Sequence, residues 1–172
     1  MSKEVEKITS EFIESSCYRM DESLRMIRKS FELLDEEDLW KRPNPASNSM
    51  GNLLLHLQGN IRQYIISSLG GARDIRERDK EFEAEQGPDG ATLLMGLANT
   101  ILEAKACMWK STTEELLRKR KVQGFNLSGI GIIVHVVEHL SYHTGQIAFY
   151  TKQLKNRDLG YYHGTDLNIK NP

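Results

Sequence analysis

Three of the five histidines in this chain lie in one short stretch, at His135, His139 and His143, each four residues after the last. On an α-helix this spacing places side chains on neighbouring turns of nearly the same face. Neutral imidazoles are common ligands of divalent metal ions, and two of them on successive turns can direct ring nitrogens at one point. The stretch is therefore the first candidate for chemistry.

A helical wheel separates the three histidines from one another. With His135 at zero and about 100° per residue, the apolar residues of the stretch centre near roughly 140°. His143 then falls about 60° from that centre, His139 about 100° and His135 about 140°. His139 and His143 are therefore better placed than His135 to face a cleft between helices.

A metal site needs a third ligand, because two ligands from one helix rarely hold an ion strongly. His56 is a candidate on another apolar helical stretch, with Asn60 one turn later, and the remaining histidine is His163 near the C-terminus. His56 with His139 and His143 would leave coordination positions open, which is typical of catalytic rather than structural sites. The spacing alone is equally compatible with flank histidines that hydrogen-bond or face solvent.

Other metal motifs fit the sequence less well. Residues His135 to His139 read HVVEH and match the H-x-x-E-H pattern of inverzincin peptidases, with Glu138 as general base. Those peptidases are much larger and need an acidic ligand well downstream, whereas only Asp158 and Asp166 are acidic after His139. No Glu precedes a His by three residues, which excludes the di-iron carboxylate pattern.

Four long stretches with apolar residues at spacings of three or four predict the helices that position these histidines. They run from about residue 3 to 34, from a cap at 47 or 48 to a glycine at 70 or 71, from about 89, and from about 128 to 154. No convincing strand pattern interrupts them, so the sequence predicts an all-α four-helix bundle. The predicted inner faces carry Ile8, Phe12, Met20, Leu24, Ile27, Phe31 and Leu34 in the first helix, Met50, Leu53, Leu54, Leu57, Ile61 and Ile65 in the second, and Leu93, Leu97, Ile101, Ala104 and Met108 in the third.

The connections between the helices differ in character. Residues 72–90, ARDIRERDKEFEAEQGPDG, are highly charged and predict a long, solvated crossover loop between the second and third helices, with room for a short helical turn. Thr112 and Glu115 form a capping-box pattern, which predicts a short extra helix before a connector, KVQGFNLSG. Residues 155–172 are predicted to be a C-terminal tail whose tyrosines pack back onto the bundle. We predict one domain over residues 1–172.

The composition narrows the classes of function. The 172 residues carry a formal net charge of -1, from 23 basic and 24 acidic residues, which argues against a general nucleic-acid-binding surface. Cys17 and Cys107 lie far apart and in no C-x-x-C pattern, so no disulfide framework is expected. The N-terminus lacks the apolar region of a signal peptide, and no apolar run reaches the roughly 18–20 residues of a membrane span. We therefore expect a reduced, cytoplasmic protein that binds neither nucleic acid nor membranes.

Taken together, these features resemble the DinB/YfiT-like superfamily of metal-dependent enzymes, which are four-helix bundles with a three-histidine site. The resemblance is carried by SNSMGNLLLHLQGNIRQYI in the second predicted helix and by HVVEHLSYHTGQIAFY in the fourth. The latter contains the H-x-x-x-H-x-G-Q signature as His139, His143, Gly145 and Gln146. WKRPNPASNS and GGARDIRERDKEF are similar to a branch of that superfamily known only as a domain of unknown function.

The resemblance implies both a ligand set and a range of activities. It makes His56, His139 and His143 the metal ligands and sets His135 aside. It implies nickel or zinc as the metal, a small-molecule substrate and a homodimer. The implied activity is that of a thiol S-transferase, which would use a low-molecular-weight thiol, or that of a hydrolase.

Two polar residues and one alternative function complete the expectations. Asn60 and Gln146 each lie one turn beyond a proposed ligand, where they could hold a ligand or the substrate by hydrogen bonding, or be ordinary flank residues. Glu138 points away from the site on the wheel, so the sequence offers no clear general base. The alternative function is that of a non-catalytic metal- or ligand-binding bundle protein in a stress response.

Overall fold

Four long helices form a bundle in the computed structural model, which describes residues 2–171. The long helices are α1 (Lys3–Phe31), α3 (Met50–Ile61, continued by a π-helix over Arg62–Leu69), α5 (Gly90–Lys110) and α7 (Gly129–Lys155). The connections contain α2 (Glu36–Leu39), α4 (Arg78–Glu83), α6 (Thr113–Leu117) and a hairpin of β1 (Lys119–Val122) and β2 (Phe125–Ser128). This architecture confirms the predicted four-helix bundle. Within residues 2–171, no helix combines the length and apolar character of a membrane span.

Side-chain caps fix where the long helices begin. Ser49 accepts a hydrogen bond from the backbone N–H of Asn52, and the Asn52 side chain accepts one from the backbone N–H of Ser49. This reciprocal capping box starts α3 slightly later than the predicted cap at residue 47 or 48. Asp89 and Ser128 likewise accept from the N–H three residues ahead, which confirms the predicted starts of α5 and α7.

The predicted apolar faces form most of the core. Every predicted inner residue of α3 with its π-helical continuation, and of α5, is buried. In α1, Ile8 is 70% exposed and the first buried residue is Ile13. Helical periodicity identifies the buried face of a helix, but not where along its length the neighbouring helices begin to cover it. The prediction that Ile8 lies in the core was therefore wrong.

The predicted connector KVQGFNLSG instead contributes to a two-stranded antiparallel hairpin. Val122 pairs with Phe125, and the two residues between them, Gln123 and Gly124, have positive φ angles of 49° and 83°. Such angles are typical of the two-residue turns that match the twist of a hairpin. The sequence did not indicate this strand, because three of its four residues are charged and only Val122 is buried.

The C-terminal tail packs against α1, as predicted for its tyrosines. Tyr161 shares a hydrogen bond of 2.7 Å with the hydroxyl of Ser30, and its carbonyl accepts from Arg25 at 3.0 Å. Leu159 is buried. The left-handed backbone of Asn156, with φ 46°, ends α7 and starts the tail one residue later than predicted.

The directions of α3 and α5 determine the path of the chain past the histidines. Gln58 donates to the carbonyl of Leu93 in the first turn of α5, and Gly70, at the end of the π-helix, lies against Cys107 near the end of α5. The two helices are therefore parallel neighbours. A chain that leaves the end of one must return along its length to start the other. Residues 70–89 make this return, and we call them the crossover segment.

Candidate metal centre

Three histidines meet between α3 and α7. One ring nitrogen from each of His56, His139 and His143 lies within 4.8 Å of the others. Nε2 of His56 is 2.8 Å from Nε2 of His139, and the ring centroids of His139 and His143 are 4.5 Å apart. The structure thus brings together the three residues named from the sequence.

The helices explain this convergence. His139 and His143 are one turn apart on α7, and α3 runs antiparallel beside them, since Tyr64 stacks on His135 two turns further along. His56 and His143 are buried, and His139 is partly buried. The flanks of two apolar faces therefore enclose the imidazoles without placing them in the centre of the core.

Burial favours the neutral form of His139 and His143. Desolvation, followed by the neighbouring His143 and His56, lowers the pKa of His139 from 6.5 to about 3. Desolvation also lowers the pKa of His143, against a smaller opposing effect of its hydrogen bond to Gln146. Neutral imidazole is the form that binds a metal ion, because the lone pair of one ring nitrogen is then free.

Gln146 fixes the ring proton of His143. Nδ1 of His143 lies 2.7 Å from Oε1 of Gln146, which can only accept a hydrogen bond. The proton therefore sits on Nδ1, and the lone pair of Nε2 is available on the other side of the ring. The side chain of Gln146 thus contacts a proposed ligand, as its position one turn along the helix suggested.

Glu81 makes the corresponding contact with His56. Its Oε2 lies 3.0 Å from Nδ1 of His56, and Nη2 of Arg76 lies 3.1 Å from the same nitrogen. An ionised carboxylate accepts and a guanidinium only donates. The carboxylate therefore receives the Nδ1 proton of His56, and the ring turns its Nε2 lone pair toward His139.

Glu81 and Arg76 form a buried ion pair. Nε and Nη2 of Arg76 donate to the two carboxylate oxygens at 2.7 and 2.8 Å, and Nη1 donates to Gln63 at 2.9 Å. The Arg76 side chain is only 3% exposed and that of Glu81 10%. Burial raises the pKa of Glu81, but the hydrogen bonds from Arg76 and His56 outweigh it, so the pKa is lowered overall. The carboxylate is ionised at neutral pH.

The backbone of the crossover segment is attached to α3 beside this pair. The side-chain amide of Asn52 donates to the carbonyls of Glu81 and Ala84 at 3.0 and 2.8 Å. The ring of Phe82 packs on His56 with centroids 4.7 Å apart, and Arg42 donates to the carbonyl of Phe82. The prediction of a solvated loop was therefore wrong for the side that faces α3, although α4 realises the expected short helical turn.

The sequence interpretation missed Glu81 and Arg76, because charged residues in a charged segment resemble a solvated surface. One signal was available. If α3 and α5 are parallel neighbours, the connecting segment has to pass the middle of α3, where His56 lies. Any acid in its central turns is then a candidate partner for His56.

The remaining candidates lie around the cluster. His135 stacks on Tyr64 at 4.3 Å and on His139 at 5.5 Å, outside the group of three. Glu138 is exposed, in agreement with the wheel, and so is His163 in the tail. Asn60 is 3% exposed and its Oδ1 has no hydrogen-bond partner among the described residues, so its role at the site stays a prediction.

The donor set fits a divalent metal ion. Ring nitrogens that bind one ion at about 2.0–2.1 Å lie roughly 3.0–3.4 Å apart. From the observed spacing, each ring needs to shift by about 1 Å or less to reach this range. Three uncharged imidazoles suit zinc, nickel, copper or cobalt better than magnesium or calcium, which prefer oxygen ligands. The three-histidine cluster is thus compatible with a metal site.

Comparisons with known proteins agree with this architecture. Residues 7–162 match the model of a family described as "Protein of unknown function (DUF1572)". The chain is similar to the crystal structure of a DinB-like protein from Bacillus subtilis, with 15% identity and a TM-score of 0.62 over 81% of this chain and 91% of that one. It is also similar to a DinB-like protein from Bacillus cereus, with 18% identity and a TM-score of 0.66 over 83% of this chain and 90% of that one. A conserved protein from Enterococcus faecalis is similar too, with 14% identity and a TM-score of 0.70 over 83% of this chain and 96% of that one. These likenesses show the shared fold. No curated protein matches the chain significantly.

Proposed function

The chain belongs to the DUF1572 family, within the DinB/YfiT-like superfamily, and we propose that it is a metal-dependent enzyme whose ion is held by His56, His139 and His143. The observation that supports this most is the convergence of three imidazoles from two helices. Two of them have Nδ1 engaged by an acceptor, which leaves Nε2 free to bind an ion.

We propose nickel or zinc as the ion and a small electrophilic molecule as the substrate. A divalent ion held by three neutral imidazoles lowers the pKa of a water or thiol that it binds, and so supplies a nucleophile near neutral pH. Both a hydrolase and a thiol S-transferase that uses a low-molecular-weight thiol would exploit this chemistry. His56, His139 and His143 supply no charge, so an anionic nucleophile is favoured at the centre.

The carboxylates near the cluster favour S-transfer over hydrolysis. Within residues 2–171, the carboxylate that contacts the cluster is Glu81, and it is bound to Arg76 and to Nδ1 of His56. Glu138 is exposed. Hydrolysis usually needs a general base to deprotonate the attacking water or transfer its proton onward. A thiol is far more acidic than water and would lose its proton to solvent on binding the ion, without a protein base. We therefore favour the activity of a thiol S-transferase.

Two measurements test this proposal in sequence. Elemental analysis of protein purified without a His tag should find nickel or zinc. Mixing the metal-loaded protein with a small thiol and a chromogenic electrophile should then give turnover that stops on chelation and returns when the metal is restored. His139→Ala should abolish this turnover, and His135→Ala should retain it. Metal binding without turnover of thiols or of ester and amide probes would instead support a non-catalytic metal-binding protein.

Cobalt provides a direct probe of thiol binding. Cobalt-loaded protein should develop an intense charge-transfer band when a small thiol is added, because a thiolate ligand donates electron density to the ion. His135→Ala should behave like the parent protein, whereas His143→Ala should not form the band. If cobalt binds but neither thiols nor other anions change its spectrum, the S-transferase proposal fails.

A further inference from the structure

The crossover segment places the buried carboxylate of Glu81 in contact with His56, a proposed metal ligand. We infer that Glu81 is a positioning residue that holds His56 as the Nδ1–H tautomer, and that Arg76 and Gly59 in turn hold Glu81 in place. This inference rests on the proposed function in one respect, namely that His56 is a ligand. It extends the site to residues beyond the three histidines, namely Arg76 and Glu81 of the crossover segment and Gly59 of α3.

The contacts of His56 show why Glu81 determines the tautomer. Its Nδ1 lies within hydrogen-bonding distance of two groups, Oε2 of Glu81 at 3.0 Å and Nη2 of Arg76 at 3.1 Å. With the carboxylate present, Nδ1 carries the proton and donates it. Without the carboxylate, the guanidinium is the remaining partner and only donates, so Nδ1 has to accept. The ring proton then moves to Nε2, the atom that faces His139, and the lone pair needed for a metal ion is lost.

Arg76 holds the carboxylate in one orientation. It binds both oxygens of Glu81, and its third nitrogen is bound to Gln63. Desolvating such a pair opposes its attraction, so a buried ion pair is weak evidence for stabilisation of the fold. The neighbouring pair of Lys80 with Glu77 is about two-thirds exposed and carries no such cost. The burial of Glu81 and Arg76 is better explained by the orientation of His56.

Gly59 provides the space for the carboxylate. A Cβ at this position of α3 would lie 1.9 Å from Oε1 of Glu81 and 2.9 Å from Nε of Arg76. Because Gly59 follows His56 by three residues, it lies on the same face of the helix. Any larger residue would push the carboxylate away from the ring that it orients.

Two variants test the inference, each with a matched control. Glu81→Met keeps roughly the size of the side chain and removes both carboxylate oxygens, and Glu83→Met makes the same change at an exposed position of α4. Gly59→Ala keeps every polar group and displaces the carboxylate. Gly131→Ala is its control, since a Cβ there meets atoms no nearer than 3.5 Å. Circular dichroism checks that each variant is folded.

Zinc affinity and the His56 tautomer are the two readouts. Glu81→Met and Gly59→Ala should each weaken zinc binding by about 10–100-fold, the usual effect of losing an outer partner of a ligating histidine. Both controls should stay within about twofold of the wild type. In the metal-free protein, nitrogen-15 correlation spectra should show the proton of His56 on Nδ1 in the wild type and a shift of the population to Nε2 in Glu81→Met. A purely structural role for Glu81 would not change the tautomer.

The outcomes separate this inference from the proposed function. A wild-type His56 that carries its proton on Nε2 overturns the inference. A folded Glu81→Met with unchanged affinity and tautomer overturns it as well. If the wild type binds no zinc, nickel or cobalt, the proposed function fails, while the tautomer of the metal-free protein still tests the role of Glu81.

Discussion

The chemistry of the site depends on which nitrogen of each histidine carries the proton. His56 and His143 each donate from Nδ1, to Glu81 and to Gln146, and so direct Nε2 toward the centre. In the metal-free protein, His139 then donates from Nε2 to Nε2 of His56 at 2.8 Å. An ion bound between these rings would replace that hydrogen bond. The three rings are therefore nearly arranged for a metal before one binds.

Neutral buried histidines make the stability of the metal-free protein depend on pH. The pKa of His139 is lowered to about 3 in the folded state, whereas the unfolded chain binds this proton near 6.5. The stability that the neutral ring contributes is therefore complete above about pH 6.5 and is lost as the pH falls toward about 3. We predict a lower urea midpoint at pH 5.5 than at pH 7.5 for the metal-free protein.

A histidine variant provides the control for this pH effect. His139→Gln should show a smaller difference between the two pH values than the wild type. Glu81 does not interfere, because its lowered pKa places its own effect at more acidic pH. Equal midpoints at pH 5.5 and 7.5 for the wild type would show that the buried imidazoles do not resist protonation.

The element that connects the site to the rest of the chain is the crossover segment. It runs back along α3 because α3 and α5 are parallel, and Arg76, Glu81 and Ala84 successively contact residues further toward the start of α3. At its end, Trp40 lies between Gly51 of α3 and Gly87 of the segment. The indole thus joins the loop after α1, the start of α3 and the end of the crossover segment.

The contact of Trp40 with Gly51 predicts a measurable loss of stability. A Cβ at Gly51 would lie 2.7 Å from the indole. Gly→Ala inside a helix normally stabilises by roughly 0.5–1 kcal/mol, but overpacking costs about 1–3 kcal/mol. We expect Gly51→Ala to destabilise the protein by about 1–2 kcal/mol in urea denaturation. Gly131→Ala, with no close contact, should cause no loss; an equal effect of both variants would argue against this packing.

The four long helices could be predicted from the sequence because each buries one face at the helical period. The hairpin could not be predicted, because β1 reads KRKV. Four residues, three of them charged, are too few to show the alternation of apolar and polar residues that marks a strand. Of the site, His139, His143 and Gln146 can be predicted from helical spacings of three and four residues, and His56 from its apolar helix together with the resemblance to a family. Glu81 and Arg76 do not, because a charged residue shows its burial only once the path of the chain is known.

At the scale of the whole molecule, the apolar core holds the fold without a metal ion. The buried core extends along all four long helices, and the histidines lie on the flanks of their apolar faces. A structural zinc site behaves differently, because there the binding energy of the ion is folding energy. We predict that chelation leaves helical circular dichroism nearly unchanged. Loss of most of that signal would show that the centre is structural.

The surface of the bundle is consistent with association of two copies. The groove between α1 and α7 is lined by the apolar Phe12, Val134 and Val137 together with serines and the charged Arg19, Glu22 and Glu138. Val134 is 51% exposed. The resemblance of the sequence to the DinB/YfiT-like superfamily implies a homodimer, and we propose that this face forms its interface. Light scattering should give twice 19.7 kDa for the wild type and a smaller mass for Val134→Glu. A wild type of only 19.7 kDa at micromolar concentration would contradict this prediction.

The central claim is that His56, His139 and His143 together hold one divalent ion, and titration of metal-free protein with zinc tests it most directly. We predict one ion per chain for the wild type and for His135→Ala, and sharply weakened binding for His56→Ala, His139→Ala and His143→Ala. If His135→Ala lost the ion while His143→Ala kept it, the HVVEH pairing would be correct and this assignment wrong. Absence of zinc, nickel and cobalt binding in the wild type would contradict the metal centre altogether.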